Sequence, residues 1–265
     1  MIKKLQRYWQ LWIKLTLDSF QTSLSSRFGA VLFMAGKLLR FTFFLIFLFT
    51  ILAKTKALGQ YTAAQAVLFY LTFTIVDTIT QLFFREVYRF RPLVVSGDFD
   101  LILVKPINPL FRPLVGGADP LDLLMLIPYL VVFTISLVPL TPFITFAHVA
   151  GYLILILNSV FIAAGFHILV LAMAIITTEI DHTIMIYRDL TSMGRVPIDI
   201  YHDWLRSFLT YIMPVGLMMT FPVKAFLGLL SPSMITLTLI VSVVFLIVCY
   251  RIWTWSLTKY SSASS

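Results

Sequence analysis

The stretch Arg85–Asp122, REVYRFRPLVVSGDFDLILVKPINPLFRPLVGGADPLD, is the one long polar break in an otherwise apolar chain. One apolar run ends directly before it at Phe84, and another begins within its last residues at Leu121. Each run is long enough to cross the hydrocarbon layer of a membrane as a helix, which takes about 20 residues. We therefore expect the stretch to be a loop that two membrane spans hold at one membrane surface, where it can meet a soluble partner.

The composition is that of a membrane protein. Hydrophobic residues make up 60% of the 265 residues and charged residues 12%, and the mean hydropathy is +0.95. A soluble domain is about half apolar and about a quarter charged. The composition therefore predicts an all-α integral membrane protein with about six transmembrane helices. We attribute the net charge of +8 to cytoplasmic Lys and Arg rather than to a nucleic-acid partner.

Residues 1–27 predict an amphipathic helix before the first span. One side of this helix is basic, with Lys3 and Arg7, and the opposite side carries Trp9 and Trp12 among aliphatic residues. A helix with two such faces lies in the headgroup layer, with membrane lipid as its partner.

The rest of the chain, residues 28–265, is expected to form a transmembrane domain. Its fifth span is the hardest to locate, because residues 177–206 begin with a charged stretch and the following apolar run is interrupted by Pro214 and Pro222. Broken helices at membrane depth persist only where protein or water satisfies the freed backbone groups. We therefore expect a broken or re-entrant helical region before the last span. The spans are predicted at about 29–53, 63–84, 121–141 and 147–176, within 177–228, and at about 234–256.

The distribution of basic residues predicts the orientation. The N-terminal segment and the central loop carry five Lys and Arg each, whereas the connections 54–62 and 140–147 carry two in total. Basic residues concentrate in short cytoplasmic loops. This pattern predicts that the N-terminus, the loop 85–120 and the C-terminus lie in the cytoplasm.

The middle of the central loop predicts a short amphipathic helix. Gly97 and Asp98 indicate its start, with the Asp98 side chain able to cap backbone donors, and Pro106 and Pro109 end it. The flanking Arg91 can pair with an acidic partner or with lipid phosphate. We interpret this helix as a docking element, and the alternative is an ordinary intracellular loop.

Three polar residues within the predicted spans are candidates for a substrate pathway. A carboxylate such as Asp77 is costly in a span and is a functional hypothesis by default. The alternative is that Asp77 reaches water or pairs with Arg85. Asn158 either serves a substrate or bonds a neighbouring helix, and Glu179 is the third candidate.

The sequence offers little support for catalysis by this chain. It contains no nucleotide-binding loop and no Gly-x-Ser-x-Gly elbow, and its four histidines lack the spacing of metal ligands. We therefore expect no catalytic residue, metal or cofactor on the chain. The cluster of Glu179, Asp181 and His182 keeps open the alternative of an intramembrane lipid-modifying enzyme or protease. A secondary transporter is a further alternative, which would show inverted repeats.

Two strings in the chain resemble those of type-2 ABC exporter permeases, and the closest branch includes viologen exporters, in which two different permeases share an ATPase pair. The first string is Gly97-Asp98-Phe99-Asp100-x-x-Leu103-x-Lys105-Pro106-x-x-Pro109. The second is Gly194-Arg195-x-Pro197-x-Asp199-Ile200-Tyr201, followed by Trp204-Leu205, Pro214, Pro222 and Leu227-Gly228.

This resemblance implies a six-span permease subunit in the inner membrane of a bacterial cell, where two ATPase copies and a second permease, identical or homologous, complete the transporter. ATP and Mg would bind the ATPase partner, and a small organic substrate of cationic or amphipathic type would be exported by alternating access. The residues implied in coupling to the ATPase are Arg91, Gly97, Asp98, Phe99, Asp100, Leu103, Lys105 and Pro106. The residues implied in an outer re-entrant region are Gly194, Arg195, Pro197, Asp199, Tyr201, Pro214 and Pro222.

The chain departs from the family pattern in its charged stretch 177–193, which the family requires as part of a fifth span. A simpler topology uses 207–228 as the fifth span and leaves 177–206 in the cytoplasm. For a cationic substrate the resemblance requires an intramembrane acid, for which Asp77 and Glu179 are the candidates.

Overall fold

The computed structural model describes residues 2–177 and 180–261, and the described residues are almost all helical. The helices are α1 Ile2–Ser25, α2 Arg27–Thr55, α3 Ala63–Phe84, α4 Phe90–Val95, α5 Asp98–Leu103, α6 Phe111–Val115, α7 Pro120–Leu137, α8 Phe146–Thr177, α9 Asp181–Ser192, α10 Asp203–Ser207, α11 Phe221–Phe226 and α12 Pro232–Leu257. Short 3-10 turns cover Arg85–Arg89, Val138–Phe143, Met193–Arg195 and Ile198–Ile200, and π-helical turns cover Phe208–Ile212 and Gly216–Thr220. One antiparallel hairpin pairs β1 Ala57–Leu58 with β2 Tyr61–Thr62.

The expectation of an all-α membrane protein is confirmed. Five continuous helical runs within the described residues are long and apolar enough to cross a membrane: Arg27–Thr55, Ala63–Val95, Pro120–Pro142, Phe146–Thr177 and Pro232–Leu257. The second run adds a 3-10 turn and α4 to α3, and the third adds most of a 3-10 turn to α7. A sixth unit, Asp203–Ile212 with Gly216–Phe226, passes the same test as a pair that is bent by 85°.

Local sequence signals account for where the long helices begin. The Thr62 side chain accepts a hydrogen bond from the Gln65 backbone at the start of α3, and the Gln65 side chain accepts one from the Thr62 backbone. Asp119 caps α7 and Ser231 caps α12, each directly before a proline at the first helical position. Proline suits that position because its missing N–H group would have no helical partner there.

Helix α3 lies at the centre of the bundle and is buried along most of its length, as is much of α8. Helices α2, α7 and α12 are more apolar than α3 but expose much of their surface. A helix that is apolar all round does not face water. The exposed sides of these three helices are therefore suited to lipid or to another membrane protein.

The bundle has two ends that we name by their connections. The loop end carries the segment 85–120, and the turn end carries the hairpin that joins α2 to α3. The segment 181–199 connects them, because Asp181 pairs with Arg91 of α4 at 3.4 Å, while Asp199 accepts a hydrogen bond from the Tyr61 hydroxyl at 2.6 Å.

The bent pair α10–α11 starts and finishes at the turn end. Lys224 of α11 pairs with Asp199 at 2.8 Å. Gly228, directly after α11, approaches the first turn of α8 so closely that an added Cβ would lie 2.8 Å from the His148 ring. Both ends of the bent pair therefore lie at the turn end, as does Asp199.

Helix α1 packs on the loop end. The Tyr8 ring lies 4.8 Å from the Phe111 ring, and the Tyr8 hydroxyl accepts a hydrogen bond from the Asn108 backbone at 2.8 Å. The Thr16 hydroxyl accepts one from the Ala118 backbone at 3.1 Å. Helix α1 therefore braces the segment between α5 and α7.

Candidate functional site

The segment between α3 and α7 is a compact helical unit rather than an open loop. The Phe99 side chain at its centre is fully buried, with ring centroids 5.0 Å from Phe90, 6.4 Å from Trp253 and 5.3 Å from Tyr260. Edge-to-face aromatic pairs of this kind contribute beyond the area that they bury. Phe99 therefore holds α5 against the end of α12 and is not available to contact another chain.

The opposite side of the same helical unit is exposed and partly apolar. Val95 and Leu101 are each 60% exposed and Val104 is 80% exposed, and the charged residues Asp98 and Lys105 are exposed beside them. We call these five residues the loop face. Large apolar side chains that stay uncovered at a charged surface mark a site for a partner.

Gly97, rather than the Asp98 side chain, shapes the start of α5. Gly97 has φ +80°, a left-handed conformation that glycine adopts without steric cost. The Asp98 carboxylate accepts a hydrogen bond from the Ser96 hydroxyl at 2.7 Å and makes no capping bond to the helix backbone. The expected Asp98 cap is therefore wrong, and Asp98 instead presents its charge on the loop face.

The other residues predicted to couple to a partner fall into two groups. Arg91 joins α4 to α9 through Asp181, and Asp100 lies beside Tyr260, where burial and then the Asp100 carboxylate raise the pKa of the Tyr260 hydroxyl to about 12. Leu103 is half-buried, whereas Lys105 and Pro106 are exposed. Only the exposed members can contact another chain directly.

A largely buried network of ion pairs connects the loop end to α2, α3 and α7. Asp122 at the start of α7 is fully buried and pairs with Lys37 of α2 and, at 3.3 Å, with Arg85 after α3. Arg85 also pairs with Asp119 at 3.2 Å. Removing one member of such a network leaves a buried charge uncompensated, so these contacts fix the loop end rigidly. The network was not predictable from the sequence, because it joins residues of α2 and α7 with the residue that follows α3.

Asp77 lies apart from this network and does not pair with Arg85, which was one of the two alternatives for this residue. Arg85 is engaged by Asp119 and Asp122, and no ion pair or side-chain hydrogen bond joins Asp77 to the described residues. Asp77 is half-buried and lines a cavity of about 340 Å³ between α2, α3 and α7. We call it the α2–α3 cavity.

Arg195 also lines the α2–α3 cavity, although the resemblance assigned it to the outer region. Its guanidinium lies 5.5 Å from the Phe73 ring centre and 5.6 Å from the Phe44 ring centre. Arg40 of α2 is the other cation beside Asp77 that has no ion pair in the described part of the chain. The sequence feature that could have indicated this site is the pair of cations, Lys37 and Arg40, within the aromatic span α2.

The other two pathway candidates do not join Asp77. The Asn158 side chain is buried and donates a hydrogen bond to the Ser242 hydroxyl at 2.8 Å, which ties α8 to α12. This is the helix-bonding role that the sequence left open. Glu179 lies outside the described residues.

The remaining residues of the second string assemble at the turn end. Asp199 binds both Tyr61 and Lys224, and burial together with the Asp199 carboxylate raises the pKa of Tyr61 well above its usual value. Gly194 allows a close approach, because an added Cβ would lie 2.6 Å from Met219 Cγ. The Tyr201 hydroxyl donates a hydrogen bond to the Met193 carbonyl at 2.9 Å. Pro197 is buried, Pro214 lies at the 85° bend and Pro222 lies in the first turn of α11.

The described residues contain no group of three or more His, Cys, Asp or Glu side chains that could hold a metal ion. Comparison with curated proteins and with solved structures returned no match. A family model described as ABC-2 family transporter protein matches residues 38–264, which include the loop face, the α2–α3 cavity and the turn end. That match spans most of the chain, which therefore belongs to the ABC-2 family of transporter proteins and is a membrane permease of an ABC transporter.

Proposed function

We propose that the loop face docks this permease onto its ATPase partner and passes the motion of that partner to the spans. Membership of the family implies an ABC ATPase partner. The loop face carries the proposal, because Val95, Leu101 and Val104 stay uncovered while Phe99 anchors the same helical unit inside. A surface that is apolar outside and firmly packed beneath suits a contact that must transmit force.

The transmission route follows from two connections of the loop end. Arg91 links α4 to α9, which leads to Arg195 at the α2–α3 cavity. Asp122 links the start of α7 to α2 and to the end of α3. A push on the loop face therefore reaches the three helices that border the cavity. ATP and Mg bind the partner in this proposal, and nucleotide shifts the permease between two states through its differential affinity for them.

The proposed topology has six crossings, formed by α2, α3, α7, α8, the segment 181–199 and α12, with α10–α11 as a re-entrant hairpin. The contacts of Asp181 and Asp199 at opposite ends support the fifth crossing. The α-helical part, Asp181–Ser192, spans about 17 Å. The 3-10 and extended residues after it carry the chain onward to Asp199, toward the hydrocarbon thickness of about 30 Å. An even number of crossings leaves both termini at the loop end, which the concentration of basic residues assigns to the cytoplasm.

In the full assembly two ATPase copies serve this permease and a second permease, which is identical or homologous. The exposed apolar sides of α2 and α12 offer surface for lipid and for that second permease. The assembly exports a small organic amphipathic substrate from a bacterial cell through the inner membrane. The intramembrane enzyme is not favoured, since the family is one of transport subunits.

Co-purification in mild detergent tests the docking proposal. We expect an ABC ATPase to co-purify with the wild-type chain, and Leu101→Asp and Val104→Asp to lower the retained ATPase about tenfold or more, as hot-spot losses of about 2 kcal/mol do. The matched control is Leu229→Asp, because Leu229 is 55% exposed but follows α11 at the turn end. Full ATPase retention and full transport in both loop-face variants would overturn the proposal.

A further inference from the structure

We propose that the α2–α3 cavity binds an amphipathic molecule with one net negative charge, whose oxyanion headgroup meets Arg40 and Arg195 and whose apolar body lies among the aromatic rings. That this molecule is the transported substrate rests on the proposed function. That the cavity binds such a molecule rests only on the residues that line it.

The charges that line the cavity are unbalanced in favour of cations. Lys37, which also lines it, is neutralised by Asp122. Arg40, Asp77 and Arg195 have no ion pair and no side-chain hydrogen bond within residues 2–177 and 180–261. Two unpaired arginines beside one unpaired carboxylate leave a net charge of +1, which one monovalent anion would balance.

The depth of these groups makes a missing partner costly. Asp77 lies eight residues before Arg85, which is about 12 Å along the helix from the buried charge network. Arg40 lies one turn beyond Lys37, on the side away from Arg27. Charged side chains inside a membrane pair with one another or line a pathway for a polar solute. The three unpaired groups share one cavity, so they mark that cavity as a ligand site.

The walls of the cavity fit an apolar body. They are built from the rings of Phe41, Phe44, Tyr70, Phe73 and Tyr129. These rings support one another, with centroids 4.3 Å apart for Phe44 and Tyr70 and 4.7 Å apart for Phe41 and Tyr129. The volume of about 340 Å³ is that of a small-ligand pocket.

The charge balance decides between an anion and a cation. Aromatic rings beside a carboxylate also suit an organic cation, which is the substrate type that the sequence suggested for Asp77. Here Arg195 already occupies the faces of Phe44 and Phe73. Its planar guanidinium keeps its donors for an oxyanion, which it can bind in a bidentate manner.

Equilibrium binding to the transporter in phosphatidylcholine nanodiscs tests the inference, using three probes that share one apolar body. The probes are 2-naphthalenesulfonate, 2-naphthylmethylammonium and 2-naphthylmethanol. We expect the sulfonate to bind at least tenfold more tightly than the ammonium or the alcohol. We expect Arg195→Gln to weaken sulfonate binding about tenfold and Arg40→Gln to weaken it severalfold.

The opposite change provides the check against misfolding. Asp77→Asn removes the one acid of the cavity and should strengthen sulfonate binding severalfold, which a damaged protein would not do. Arg251→Gln is the matched control, because Arg251 is an exposed arginine on α12 that does not line this cavity. Its sulfonate affinity should equal that of the wild type.

Several results would overturn the inference. They are tighter binding of the ammonium probe, equal affinities in wild type and Arg195→Gln, or no binding of the sulfonate to wild type. The same holds if an acidic side chain of a second permease forms an ion pair with Arg40 and the sulfonate does not displace that side chain. The binding measurement needs no nucleotide, so its failure is distinguishable from a failure of the docking proposal, which the ATPase co-purification measures.

Discussion

The loop face and the α2–α3 cavity are opposite in what they leave without a partner. At the loop end the charges of Lys37, Arg85 and Asp122 are paired, and apolar side chains are left uncovered. In the cavity the rings pack on one another, and Arg40 and Arg195 are left without a counter-ion in the described part of the chain.

This difference indicates two kinds of partner. Uncovered apolar side chains on a rigid support are satisfied by another protein, because burying their area is favourable and non-directional. Uncompensated charges in a small aromatic cavity are satisfied by a ligand of opposite charge. The network around Asp122 borders both regions, since Lys37 lines the cavity and Arg85 follows α3.

The largest effect is expected from the contrast between Phe99 and Leu101 on the same helix. Phe99→Ala removes a fully buried ring and should cost about 3–5 kcal/mol of stability. Leu101→Ala should leave stability within about 0.5 kcal/mol, and it should lower ATPase retention severalfold. Thermal unfolding and ATPase co-purification measure the two effects separately. Equal destabilisation by both variants would show that the loop face is covered from within the chain.

A smaller effect is expected from breaking the network that joins the two regions. Asp122→Asn leaves Lys37 and Arg85 without a buried anion between them and should cost about 3 kcal/mol. For a chain of this size the melting temperature should fall by roughly 6–10 °C. Freed Lys37 adds one cation to the cavity, so binding of 2-naphthalenesulfonate should become tighter.

The control for this variant is Asp18→Asn, because Asp18 is exposed on α1 and its charge change is the same. An unchanged melting temperature in Asp122→Asn would show that the network contributes little to the fold. Weaker sulfonate binding would contradict the excess of positive charge that we assign to the cavity.

Short-range signals made the segment 85–120 predictable as a helical loop between two spans. Gly97 permits the turn before α5, and the prolines after α5 end that helix. The start and the end of α5 therefore depend only on residues that are near in the sequence. The direction in which α5 packs was not predictable. It depends on Trp253 and Tyr260, which come from the far end of the chain and take Phe99 inward.

The charged stretch 177–193 shows why a fifth span was hard to predict from the sequence. Its polar composition is typical of a surface loop, yet α9 buries Ile184 and Tyr187, and Asp181 pairs with Arg91 at the loop end. Asp77 was predictable as a functional candidate because a carboxylate is costly inside a span. The position of Arg195 in the same cavity was not predictable, because that contact joins α3 to the segment after α9.

The smallest effect is expected at alkaline pH on the inner side of the loop face. The pKa of Tyr260 is raised to about 12, so the folded state favours the protonated hydroxyl. The stability that this contributes is fully present below about pH 10, the pKa of an unperturbed tyrosine, and is lost as the pH rises through 12. The wild type should therefore lose more thermal stability between these pH values than Tyr260→Phe does. The difference should be small, because Tyr260 is partly exposed.

Leu101→Ala should follow the wild-type pH dependence, since the loop face and the packed side of α5 are separate surfaces. Identical pH profiles for wild type and Tyr260→Phe would show that Tyr260 ionises without disturbing the contact that holds Phe99.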